Sequence, residues 1–343
     1  MKLPLGIDLQ QYKTQAKELL RRVRDGQADA LERLRLHHPE HSQLALSGKV
    51  GLADAQLVLS RENGFPSWAK FKNDLIFRNA VQAMADGDLR KLESLLNDHS
   101  FLPRYRARFG EPYEAGYFSG ATLLMHIASN PDIHPISENI EDITRLILRF
   151  GFEKKDAEYT IGLLLTSRQA SEAGVAVRLI QMLSEAGARF DPGKSGTLDG
   201  PLLNLAPETA SSLLSMGAKL ELRHAAGLGR LGELAAGLGA ASQEELELAL
   251  VFACVRGQGE AARMLSEAGA KGDVLLTYGG MQARTALHEA ANRGFGSIVK
   301  MLVEAGADVG VVEPQWGGTP AGWAEAGGFG ELAGWLRGAA SDS

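Results

Sequence analysis

The chain has 343 residues, 45% of them apolar and 23% charged, with a net charge of −6, a composition near the globular average that allows a sizeable buried core. The acidic balance excludes a nucleic-acid binder working through a broad basic face, and the single cysteine, Cys254, excludes an internal disulfide and a cysteine-based metal site. No apolar run reaches the ~18 residues a membrane span needs.

The first residues, Met1-Lys2-Leu3-Pro4-Leu5-Gly6, lack an apolar stretch of signal-peptide length. Together with the lone cysteine this makes a cytoplasmic location the expectation. Residues 11–25, 28–37, 52–63 and 68–77 read as amphipathic helices, the last two joined by Gly64-Phe65-Pro66-Ser67. In the first, Lys17, Arg21, Arg22 and Arg24 read as a solvated face. His37, His38 and His41 surround Pro39, which breaks the regular spacing a helical metal site needs, so they read as a helix end. Residues 80–97 form the next pair of helices about a turn at Met84-Ala85-Asp86-Gly87-Asp88. Cys254 follows the apolar run 248–253 and is expected to be a buried small hydrophobe.

From residue 143 onward the same pattern returns. Gly151, Gly187, Gly217, Gly239, Gly269 and Gly306 follow one another at spacings of 36, 30, 22, 30 and 37 residues. Four residues before them lie Ile147, Leu183, Leu213, Ala235, Leu265 and Leu302. Eight residues before lie Ile143, Leu179, Thr209, Leu231, Ala261 and Ile298. Offsets of four and eight occupy one face of a helix, and the glycine then ends it in a left-handed conformation. Other helices precede these, starting at Thr285 and at Thr319-Pro320, where threonine can cap the first turn. The unit is therefore turn, helix, short loop, helix, glycine, extended link.

The stretch Thr285-Ala286-Leu287-His288, followed by small residues, Gly294, and a helix ending at Gly306-Ala307-Asp308, resembles the ankyrin repeat. It departs from the family pattern at Ala286, where proline is usual. Thr319-Pro320 resembles it too, while Ala121-Thr122-Leu123-Leu124-Met125-His126 has Met125 where the histidine would fall. The units near 200–240 are short and degenerate. The resemblance implies an all-α fold: an ankyrin-repeat solenoid over residues 79–340, of about eight irregular units. Residues 1–78 form a helical capping region, similar to the segment that precedes ankyrin arrays in some bacterial proteins. A solenoid's exposed end needs such a cover.

No motif assigns chemistry. His288-Glu289-Ala290-Ala291-Asn292 lacks the second histidine of a zinc protease helix, and the resemblance implies that His288 packs between repeats. Gly227-Leu228-Gly229-Arg230-Leu231-Gly232 matches a dinucleotide fingerprint but follows a helix instead of a strand, so it reads as a turn. No catalytic residue, cofactor or metal is expected. The resemblance implies binding through link tips and the concave face. The long links 102–119, 190–199, 271–284 and 309–317 concentrate aromatic residues and arginine, the types that dominate binding hot spots. The expected contact residues are Tyr105, Tyr113, Tyr117, Arg168, Tyr278 and Trp316, and the expected partner is a protein, not nucleic acid or membrane. The alternative is a small-molecule or catalytic pocket under the long links, for which Arg168, His126 and His224 would be the polar groups. Trp323 and Trp335 are expected to cover the C-terminal end.

Overall fold

Helices carry nearly all the regular structure. Among the described residues no strand forms, and the extended links meet only at two antiparallel bridges, Ala107 with Ala121 and Leu276 with Arg284. The computed structural model describes residues 9–41, 49–107, 120–129, 134–278 and 283–341. The chain divides into two compact units, one of residues 1–163 and 181–188, the other of 164–180 and 189–343.

In the first unit, α1 (Leu9–Arg24), α2 (Ala28–His37) and α3 (Leu52–Glu62) enclose a small core of Ala16, Leu19, Val23, Leu34, Val58 and Leu59. The helix α4 (Trp68–Ala85) follows, its first turn capped by Ser67. Phe71 anchors it, with Tyr12 edge-on at 4.8 Å, Phe65 at 5.2 Å and Trp68 at 5.8 Å. The boundary expected after residue 78 falls inside α4, so the N-terminal helices and the first helix pair share one unit. A left-handed Gly87 turns the chain into α5 (Leu89–Asp98), and α6 (Ile140–Phe150) comes later. Asn139, at the head of α6, donates its amide to the Gly87 carbonyl at 2.8 Å, tying the two pairs together.

The chain crosses between the units within α7 (Lys154–Thr166) and α9 (Ala176–Glu185), with α8 (Arg168–Glu172) between them. Five helix pairs then build the second unit. They are α10 (Asp199–Leu203) with α11 (Pro207–Ser215), and α12 (Leu222–Gly227) with α13 (Leu231–Leu238). Next come α14 (Gln243–Arg256) with α15 (Gly259–Glu267), and α16 (Ala286–Asn292) with α17 (Gly296–Glu304). The last is α18 (Pro320–Ala326) with α19 (Gly330–Ser341). First helices pack on first helices from α12 to α18, and one apolar core runs through the pairs. This is the all-α repeat solenoid expected from the glycine pattern.

Two features repeat. The second helices end at glycines in positive φ, Gly217 at 94°, Gly269 at 98° and Gly306 at 92°, and Gly187 at the end of α9 does the same at 101°. Gly239 does not, staying helical at −69°. Only Ala240 and Ala241 separate it from Ser242, the cap of α14, so no reversal into a long link is needed there. The second feature is the turn between helices of a pair. The N–H of Arg230, Gln258, Phe295 and Phe329 each bonds the carbonyl five residues back, at 2.8 to 3.0 Å, and the residue before each has positive φ. In the pair α10–α11 that residue is Leu205, at φ 61°, with Ala206 bonding Pro201 in the same way. The caps expected at Thr285 and Thr319 form, accepting from the N–H of His288 and Gly322.

Candidate functional site

The links that enter α16 and α18 are held by two buried carboxylates. Glu289, on the first of these helices, is fully buried. It accepts the Tyr278 hydroxyl at 2.5 Å and an Arg284 N–H at 3.2 Å on one oxygen, and pairs with Arg293, one turn along, on the other. Three donors and two cations offset the cost of burying this carboxylate. Tyr278 is 7% exposed, and burial together with the Glu289 charge pushes its hydroxyl pKa up. The paired N–H and C=O groups of Leu276 and Arg284 close the base of the link at 3.0 and 3.1 Å.

Glu313 does the same work in the next link. It is 1% exposed, and its carboxylate accepts backbone N–H groups from Gln315 at 2.7 Å, Trp316 at 3.0 Å and Gly318 at 2.9 Å. Burial opposes its ionisation, but these bonds and one from the Trp323 indole outweigh it and hold the carboxyl below its ordinary pKa. The carboxylate thus folds residues 313–318 into a fixed turn that presents Trp316, whose surface is 66% exposed. Trp316 lies 5.8 Å from Trp323, and the Arg284 guanidinium sits 4.8 Å from the Trp323 ring and 5.9 Å from the Trp316 ring. A cation beside aromatic faces at these distances is attractive. Trp323 is 9% exposed and forms the floor of this cluster, where an end cover was expected.

His288 locks the two repeats together. Thr285 donates its hydroxyl to Nδ1 at 2.8 Å, and Nε2 donates to the Gly318 carbonyl at 3.0 Å. Burial lowers its pKa, so it stays neutral. It is a junction residue with both ring nitrogens engaged, and among the described residues no group of three or more metal-binding side chains converges.

The other expected contact residues are scattered. Arg168 is exposed and pairs with Glu172 along α8 at 2.7 Å. Tyr105 packs its ring on Phe77 and Phe101, each 5.5 Å away. Burial and the nearby Asp74 push its hydroxyl pKa up to about 12. It covers the core beneath its own link instead of standing clear of it, and so does Tyr278, whose hydroxyl is consumed by Glu289. Both rings are packed into the fold beneath their links. Tyr113 and Tyr117 lie outside the described residues. Among the described members of the set, Trp316 alone is exposed on a backbone held by a buried carboxylate.

The polar groups of the alternative reading are also accounted for. His224 is fully buried in a network, its Nδ1 accepting the Glu221 N–H at 3.1 Å and its Nε2 bonding Asp199 at 2.7 Å. Its bond to the residue three before repeats what Thr285 and His288 do. His126 is fully buried beside Phe77, and burial, with His134 and Arg78 near it, holds its pKa at about 3. Arg168 is exposed, in its pair with Glu172. A depression of about 270 Å³ does open by α12 and α13, between Leu220, Leu222, Glu233 and Glu245.

Reading of the sequence missed Glu289 and Glu313. The first was legible as a Glu–Arg pair four apart, Glu289 and Arg293. The second had no local signal, because its partners are backbone groups.

Stacked helix pairs with glycine turns and paired links define a repeat protein. The family model of the ankyrin repeat matches residues 283–313, the stretch that holds Arg284, Glu289, Arg293 and Glu313. The chain thus carries an ankyrin repeat at these residues. No curated protein matches it at a significant level. No helix among the described residues is long and apolar enough to cross a membrane.

Proposed function

We propose that the chain is a protein-binding module that engages its partner through the link tips and first-helix face of the repeats from α14 to α18. The observation that carries this reading is Trp316. A large ring left 66% exposed would ordinarily be mobile, yet here its backbone is clamped by Glu313 and its ring lies beside Arg284 and Trp323. Pre-ordering an exposed aromatic lowers the entropy lost on binding, and tryptophan and arginine are the commonest anchors of protein interfaces. Arg168 and Tyr105 lie outside the helices α14 to α18 and are not assigned to this face.

Photocrosslinking tests it. A benzophenone amino acid is placed at Trp316 or, as a control, at the exposed Glu304 at the end of α17. The reading expects a discrete adduct from position 316 and none from 304. Equal labelling from both positions, or none from 316, would remove the assignment of this face.

A further inference from the structure

The first helices of two neighbouring repeats end on arginine. Arg256 closes α14 and is followed by the left-handed Gly257, and Arg293 caps the end of α16 and is followed by the left-handed Gly294. The two therefore hold the same position in successive repeats. Arg293 has an acid, Glu289, though its Nε finds no hydrogen-bond partner. Arg256 has neither an ion pair nor a hydrogen bond among the described residues, and its Nε is buried without a partner. Burial and the charge of Arg293 both weigh against its protonation, and the exposed Glu208 is the one acid that favours it. Its stem lies against Gly227, 3.5 Å from where a Cβ would stand. A partly buried guanidinium with no counter-ion is costly, and it sits one repeat from a second cation in a chain whose net charge is −6.

We propose that Arg256 and Arg293 read carboxylates, and that the partner docks here through an acidic, extended segment crossing the first helices, with Trp316 taking an apolar side chain farther along. This rests on the protein-binding reading above and names the chemistry of its partner. Packed helices stand about 8–10 Å apart, and a segment extended in the polyproline II form advances about 3.1 Å per residue with three residues per turn, so residues three apart share one face at about 9 Å. The segment should therefore carry two aspartates or glutamates three positions apart. Arginine suits this task because its planar fork can hold a carboxylate through two parallel bonds.

The test selects 12-residue peptides from a phage-displayed library on the full chain, then measures the enriched peptides by fluorescence anisotropy. The proteins are wild type, Arg256→Gln, Arg293→Gln and Trp316→Ala, each checked for native circular dichroism. Arg256 makes no bond in the fold, so its variant should fold even if that of Arg293 does not, and it alone then decides. Enriched peptides should carry acids at positions three apart, lose about tenfold or more in affinity with either arginine variant, and weaken as salt rises. Peptides without acids that still lose affinity in Trp316→Ala would overturn the carboxylate assignment and leave the binding face standing. Peptides insensitive to all three variants would overturn both.

Discussion

Leu205 stands where the other pairs of the second unit place glycine, and this gives a substitution test with an inverted sign. Its φ of 61° puts an L-residue in the left-handed region, at about 1–2 kcal/mol. Glycine would relieve that strain but lose about 0.5–1 kcal/mol through the greater freedom of its unfolded chain. Leu205 is 45% exposed, so cutting its side chain also removes some packing. Comparing Leu205→Gly with Leu205→Ala cancels most of that loss and leaves the backbone difference. The glycine variant should be the more stable by about 0.5–1 kcal/mol. At Ser212, an exposed position within α11, the order should reverse, with alanine better by about 1 kcal/mol. Urea denaturation reads both as shifts in midpoint at unchanged slope. Alanine matching or exceeding glycine at 205 would mean that this turn does not share the conformation of those at Gly229, Gly257 and Gly294, and the repeat register would fail there.

The two buried carboxylates should behave differently. Tyr278→Phe removes one donor from Glu289 and should cost about 1–2 kcal/mol, whereas Glu289→Ala strands Arg284 and Arg293 and should cost about 3–5 kcal/mol, both read by thermal denaturation. Glu313 has a folded pKa below its unfolded value. Its contribution is therefore present above the unfolded carboxylate pKa, about 4.3, and is lost as pH falls through the lower folded value. Tryptophan fluorescence should change in that acid window as the 313–318 turn loosens, and Glu313→Gln should remove this step.

Local chemistry made much of the fold readable. Glycines that stop helices, threonines that cap them, and apolar residues four and eight before each glycine act within a few residues of themselves, so Gly187, Gly217, Gly269 and Gly306 fell where their spacing placed them. The pair α10–α11 was harder because its turn carries Leu205 in place of glycine. The site was less legible for a different reason. Tyr278 and Trp316 are similar residues on similar links, and what separates them is tertiary. Tyr278 has a hydroxyl that reaches buried Glu289, while Trp316 rides on a turn wrapped around Glu313. Arg256 gave no signal in sequence because its distinguishing feature is a missing counter-ion.

The most direct test is hydrogen–deuterium exchange of the full chain with and without the protein captured through position 316. The account predicts slower exchange in 252–257, 284–294 and 313–318, and no change in the second helices α15 and α17. Protection confined to those second helices, with the links and first-helix ends unaltered, would contradict it.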